Sequence, residues 1–480
     1  MNMIKKFFSI IQIPIKLLLI AIMIFMSYEY LSKVFKNQDV SYGGDFRSLP
    51  KNSLDVLVLG SSDAQYSFVP SFFFEDTGLY SYVRGTPCQP LEVSYEMLKE
   101  SLKTQHPKVV FLEVFTALPL RSICEDDVCY VVAQYQMTGQ EKYNTINYLP
   151  EDKAKEYRSD FINYHNDWRI RDDYESLLPS NVYNKQKNPD TYFGYVYQNF
   201  DGNVPNNYWF PSIYDDDIEI SIDQLDLISL NNIYSLCQER NIELILYKTP
   251  IDGITQEDQS MLHKVWEWAK EKNINYIDFI SLSKELKFYM QIHSDSFHSN
   301  INGASIITGY LADYINENYD FNHFSNKYLD RLYETEVCEL TKSVLNSEYD
   351  PLVYLKRLVN TKGIICIRYN PKTGAQIGQG LYNAICELGC TYFDIKYPYY
   401  AVIKDGELLY ENFESSDFEY EDIKIQLHND LLSIDDNIFE INGPISIAYT
   451  NENNPENCVI KNIDYIPFPW DCDQEVYKRP

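Results

Sequence analysis

From residue 54 to about residue 320, short apolar runs alternate with stretches of helical spacing. The run Val56-Leu57-Val58-Leu59 ends at Gly60. Residues 91–103 place apolar side chains three and four apart, and Pro107 separates them from Val109-Val110-Phe111-Leu112. Residues 225–240 predict a helix before the apolar run 242–247. Residues 261–272 are amphipathic and lead into Tyr276-Ile277, and 304–315 predict a helix opened by Asn302 and Gly303. Apolar runs without internal alternation, each followed by a helix, predict βαβ units. The expected fold is therefore α/β, a parallel sheet with helices on both faces. Residues 116–221, rich in Tyr, Asn and Asp, break the pattern. They read as an insertion over the sheet's carboxyl edge, where such folds bind ligands.

The two ends of the chain follow other patterns. Residues 325–480 contain a strand at 364–367, a helix at 380–388, a hairpin at 399–410 and strands at 445–449 and 459–465. The hairpin turns at Asp405-Gly406, a pair suited to a type I′ turn. This predicts a smaller α+β or β-rich domain. At the other end, Lys5 and Lys6 precede a stretch, 7–31, that is apolar apart from Gln12, Lys16, two serines and Glu29. Its uninterrupted core, 17–26, is shorter than the ~20 residues a spanning helix prefers. A span from about 13 to 31 lets Lys16 snorkel to the basic side. No small-x-small cleavage site follows, since the exit reads Ser27-Tyr28-Glu29-Tyr30-Leu31. The expectation is an uncleaved signal anchor at 1–32, a single-pass transmembrane helix. Its three lysines place the N-terminus in the cytoplasm and the main domains outside it. Residues 33–53, with Gly43-Gly44, read as a linker to a domain at 54–320.

Composition narrows the function. The 480 residues carry 41 Lys+Arg against 70 Asp+Glu, a net charge of −29. Proteins that neutralise phosphates need a basic face, so a nucleic-acid partner is excluded. The 42 Tyr, 25 Phe and 5 Trp leave two readings open: partly exposed rings that meet sugars or a partner, or a biased composition. Among the ten cysteines, Cys124 and Cys129 are spaced to close a small loop, and Cys386 and Cys390 to share a helix face. No Cys/His set has zinc-ligand spacing and there are seven histidines, so no metal or cofactor is expected.

Two short blocks carry chemistry. Gly60-Ser61-Ser62-Asp63 follows the first strand, where a serine sits over the sheet edge beside helix N–H groups able to stabilise an oxyanion. Asp295-Ser296-Phe297-His298 precedes the last helix of the domain. Its carboxylate can orient the imidazole through Nδ1 and leave Nε2 to accept a serine proton. Each block alone is common, as a strand-end turn or a helix cap. Together they fall on one rim of a parallel sheet.

These residues resemble the SGNH/GDSL hydrolase superfamily over about 54–319. Its nucleophile block matches Gly60-Ser61-Ser62, and its Asp-x-x-His block matches Asp295 and His298. Leu59-Gly60-Ser61-Ser62, Lys248-Thr249-Pro250 and Tyr164-His165-Asn166-Asp167-Trp168 are similar to the membrane-anchored branch that includes the D-alanyl transfer protein and alginate-type acetylation proteins. The resemblance implies a flavodoxin-like three-layer fold, with Ser62 as nucleophile, His298 as base and Asp295 orienting it. It implies oxyanion donors at the backbone of Ser62 and Gly85. The family's third donor, an Asn in a Gly-x-Asn block after strand three, is missing, since the chain there reads Leu112-Glu113-Val114-Phe115-Thr116. Glu113 lies near the site and reads chiefly as a buried or capping carboxylate. His165, Trp168 and Lys248 are candidate substrate-binding residues, with Arg169 beside the first two, and Cys88 has no assigned role. Residues 325–480 weakly resemble the interleukin-like epithelial-mesenchymal transition (EMT) inducer domain, which implies a glycan- or partner-binding module.

The resemblance implies an extracytoplasmic serine acyltransferase or esterase acting on O-acetyl or D-alanyl-type groups of a bacterial cell-surface polysaccharide. Its expected partners are that polymer, the membrane and a membrane-bound O-acyltransferase. The missing Asn block supports the alternative, a non-catalytic protein that binds glycans or scaffolds an acyltransferase complex.

Overall fold

The computed structural model describes residues 2–35, 46–118, 129–130, 133, 136–137, 139–157, 192–198, 218–251, 254–283, 285–286, 295, 298–321, 325–347, 351–359, 361–371, 379–421, 423–435, 437–451 and 454–463. Five strands form the first sheet: β1 (Val56–Gly60), β2 (Ser81–Gly85), β3 (Val109–Glu113), β4 (Glu243–Lys248) and β5 (Asn275–Asp278). Every adjacent pair is parallel, in the order β2-β1-β3-β4-β5. This is the doubly wound α/β order, in which the chain leaves β1 to opposite sides and opens a crevice between the carboxyl ends of β1 and β3.

Burial on both faces explains the continuous apolar runs. Leu57, Leu59, Leu112 and Leu246 pack into one core with Met97, Ile233 and Leu262 from helices Leu91–Ser101, Gln224–Arg240 and Gln256–Glu271. Val56, Val58, Phe111 and Ile245 pack into the other with Phe73, Ile307 and Leu311 from helices Pro70–Thr77 and Ile301–Asn318. The sequence pattern does not mark β2, because its Arg84 looks solvent-facing. Instead that side chain is fully buried, paired with Glu100 at 2.8 Å and set over the Phe46 ring. Helix Gly139–Asn147 and Phe193, from the expected insertion, add to the first core.

Helix Lys327–Ser347 follows, and its Leu329 and Tyr333 join the core of the parallel sheet. Tyr333 stacks on Phe193, with ring centroids 3.9 Å apart. The C-terminal part is built from antiparallel sheets. One has β14 (Asn454–Ile463), β13 (Ile445–Asn451), β6 (Ile364–Tyr369), β7 (Tyr399–Lys404) and β8 (Glu407–Asn412), in that order. Helices Pro351–Leu358 and Gln379–Glu387 cover one face of it. The other face packs on a smaller sheet of β9 (Ser416–Tyr420), β10 (Ile423–Leu427), β11 (Leu432–Ile434) and β12 (Asn437–Phe439). At the β7–β8 turn, Asp405 and Gly406 both take positive φ, 50° and 79°, as a type I′ turn requires.

Two observations bear on the aromatic content and on the N-terminal segment. Many tyrosines are core residues rather than exposed platforms, and Tyr80, Tyr82, Tyr247, Tyr333, Tyr369 and Tyr399 are among the fully buried side chains. The N-terminal segment forms a single helix, Asn2–Phe35, with Pro14 inside it. Ile15 and Leu17 to Met26 include large apolar side chains 45–65% exposed. Among the described residues, however, no helix is long and apolar enough to cross a membrane.

Candidate active site

Gly60 ends β1 with φ of 153°, and a Cβ there would lie 2.6 Å from Glu113 Cβ. The absence of that Cβ lets β1 close against β3 just before the chain turns into helix Ser62–Ser67. Ser61 caps this helix, its Oγ accepting the Asp63 N–H at 3.2 Å. Ser62 is thus held at the helix N-terminus on the carboxyl side of β1, beside the crevice, and is 9% exposed. Gly85 is the register partner of Gly60 on β2. A Cβ on Gly85 would sit 2.7 Å from the Ser61 carbonyl oxygen. The Gly85 carbonyl accepts from Gln136 Nε2 at 2.6 Å.

His298 reaches this point from the loop before helix Ile301–Asn318. Asn300 caps that helix by accepting from the Asn302 and Gly303 amides at 2.9 and 3.2 Å. His298 Nε2 lies 2.9 Å from Ser62 Oγ, and Nδ1 lies 2.8 Å from Asp295 Oδ2. Asp295 Oδ1 also accepts the His298 backbone N–H at 2.8 Å. A carboxylate at Nδ1 fixes the proton there and leaves Nε2 as the acceptor for the serine hydroxyl. The structure therefore brings Ser62, His298 and Asp295 into one hydrogen-bonded line. The Tyr66 ring, one helical turn after Ser62, packs on the imidazole at 4.5 Å between centroids. In the sequence, Tyr66 is marked by its spacing of one helical turn from Ser62.

Lys248 corrects the expectation most clearly. It is neither a rim ligand for substrate nor a solvated strand end, because its side chain is fully buried. Its Nζ donates to Asp63 Oδ2 at 2.8 Å, Glu113 Oε1 at 3.1 Å and Thr249 Oγ1 at 3.0 Å. Glu113 is buried too, accepting from Ser61 Oγ at 3.0 Å and from the Phe115 amide at 2.9 Å. One ammonium faces two carboxylates. Burial, and secondarily the charge of Asp63, raise Glu113 to about 7 against the pull of Lys248. The two carboxylates in turn raise Lys248 despite its desolvation. After β3, the Phe115 amide is taken by Glu113 and the Thr116 hydroxyl donates to the Gln89 carbonyl at 3.0 Å. His165, Trp168 and Arg169 lie outside the described residues. Cys88, for which the sequence implies no role, is disulfide-bonded.

No protein-family model and no curated protein matches the chain. Solved structures similar to it include a protein described as an acylhydrolase from Bacteroides fragilis. That match has 12% identity and a TM-score of 0.29, covering 57% of this chain and 94% of that one. A GDSL-like lipase from Bacteroides thetaiotaomicron matches at 12% identity and a TM-score of 0.30, covering 59% of this chain and 100% of that one. An acetyl xylan esterase from Butyrivibrio proteoclasticus matches at 8% identity and 0.25, covering 56% and 65%. The fold of the chain itself is read from its strand order and register.

Proposed function

We propose that the chain is a serine-dependent esterase or acyl-transfer enzyme acting on ester-linked acyl groups. The observation that carries this reading is the line from Ser62 Oγ through His298 to Asp295, with separations of 2.9 and 2.8 Å. Ser62 Oγ attacks the ester carbonyl carbon as its proton passes to His298 Nε2. The oxyanion forms beside the Ser62 amide at the helix N-terminus and the Gly85 strand end. Collapse breaks the bond to the leaving alkoxide, which takes the proton from His298, and leaves an acyl-serine. Water or an acceptor hydroxyl then attacks with His298 again as base, and the acyl group leaves Ser62.

The finer reading is an O-acyl group of a cell-surface polysaccharide, handled on the extracytoplasmic side with a membrane-bound O-acyltransferase as partner. Helix Asn2–Phe35 supports it, because its described side chains expose Leu17, Leu18, Met23, Ile24, Phe25 and Met26, an apolar stretch suited to lipid. The test treats the purified full chain with a fluorophosphonate probe and a p-nitrophenyl ester. Labelling and turnover should both vanish in Ser62→Ala. Equal labelling in that variant, or none in the wild type, overturns the reading.

The occupied Phe115 amide and Thr116 hydroxyl favour a second reading, binding without turnover. Glycan binding that survives Ser62→Ala and His298→Ala, with no esterase activity in the wild type, would select it.

A further inference from the structure

The residues before and after Ser62 are both tied into one buried ring of hydrogen bonds that leaves Ser62 itself out. Ser61 Oγ donates to Glu113, Glu113 accepts from Lys248, Lys248 also donates to Asp63, and the Asp63 amide donates back to Ser61 Oγ. Thr249 braces the ring, accepting from Lys248 and donating to Asp63 Oδ2 at 3.1 Å. The three bonds made by Lys248 use all three ammonium protons. Each ring residue is at most 2% exposed. The ring ties the start of helix Ser62–Ser67 to the ends of β3 and β4, the two strands on the far side of the crevice.

A buried ion cluster of this kind is a poor stability device, since well-packed apolar side chains of similar volume are often as good or better. It does supply direction. Each polar contact accepts a narrow range of angles, so the ring fixes the backbone at 61 and 63 from below, and with it the χ1 origin of Ser62. We infer that Lys248, Glu113, Asp63 and Ser61 are positioning residues that hold Ser62 Oγ in line with His298 Nε2. This deepens, and rests on, the reading of Ser62 as nucleophile. Lys248 acts through Asp63, Glu113 and Thr249, the groups its ammonium bonds, so its effect should fall on the chemical step rather than on substrate binding.

Two variants test this on the full chain with a p-nitrophenyl ester. Ser61→Ala breaks the ring at an uncharged link and leaves the ion pairs in place. The triple variant Lys248→Met, Asp63→Asn, Glu113→Gln removes the charges together, so no buried ion is stranded. For both, kcat and the rate of fluorophosphonate labelling should fall by roughly ten- to a hundredfold while KM stays within about twofold, the signature of lost alignment. Ser61→Thr, which restores the hydroxyl, should recover most of the loss. Wild-type kcat and labelling rate in both variants overturn the inference, as does a loss that appears in KM alone. Failure of the underlying reading looks different: turnover would then survive Ser62→Ala itself.

Discussion

Lys248 Nζ lies 2.8 Å from Asp63 Oδ2, which joins the end of β4 to the residue directly after Ser62 across 185 positions of sequence. Both side chains are essentially without solvent contact. Lys248→Met alone should therefore destabilise the fold by about 3–5 kcal/mol, because it strands two carboxylates in the interior. The triple variant with Asp63→Asn and Glu113→Gln should recover most of that loss. Urea unfolding midpoints check both, and equal midpoints for the single variant and wild type would contradict the buried-pair account.

Glu113 gives this cluster a pH dependence with a definite sign. Its ordinary value is 4.5 and burial raises it to about 7, so the folded chain holds its proton more tightly than the unfolded chain between those values. Stability from this group is present at low pH and is lost as pH rises through that window. The groups facing it are Asp63, Lys248, Ser61 and the Phe115 amide, with Tyr247 near enough to feel its charge. Lys248, raised in the fold, keeps its contribution below 10.5 and loses it only above that range. Glu113→Gln should flatten the lower slope, so that its stability relative to wild type improves as pH rises from about 4.5 to about 7. Denaturant curves at several pH values would show a constant difference if Glu113 did not titrate there.

Gly85 tests the backbone side of the site. An Ala Cβ would come within 2.7 Å of the Ser61 carbonyl oxygen and 2.8 Å of Gln65 Cγ. The serine turn must then shift, at a cost of roughly 1–3 kcal/mol. A displacement approaching 1 Å at Ser62 should lower kcat about a hundredfold. The check compares Gly85→Ala with Gly78→Ala. Gly78 has nothing within 4 Å of its Cβ site but takes φ of 72°, so its variant should lose stability without the loss in kcat.

Much of the parallel sheet was legible because strands buried on both faces spell continuous apolar runs, as at Val56–Leu59 and Val109–Leu112. Strand β2 was not, since its Arg84 is neutralised by Glu100, a partner a helix away. The two short blocks named the residues that the fold brings together at Ser62, His298 and Asp295. Lys248 was misread for the same reason as Arg84: a strand-end lysine shows nothing of Asp63 and Glu113, which only the register of β1, β3 and β4 sets beneath it. Helix Lys327–Ser347 is not among the elements expected from the sequence, and its apolar stripe faces a core formed by residues far earlier in the chain.

Asp295 offers the sharpest test of the relay, because it makes two bonds to one residue. Oδ1 accepts the His298 backbone N–H and Oδ2 accepts Nδ1–H. An Asn in its place has one oxygen and one NH2 group, so either orientation sets a donor against one of those two donors. With NH2 facing Nδ1, the imidazole must carry its proton on Nε2, where it can no longer accept from Ser62. With NH2 facing the backbone, the loop loses the bond that holds the ring. Asp295 is 54% exposed, so Asp295→Ala lets water take the vacated place and should leave folding intact. Both variants should therefore lower kcat by roughly 10³–10⁴-fold, with the isosteric Asn no better than Ala and the unfolding midpoint unchanged. Near-wild-type turnover in Asp295→Asn would mean that the carboxylate does not orient His298 during the reaction.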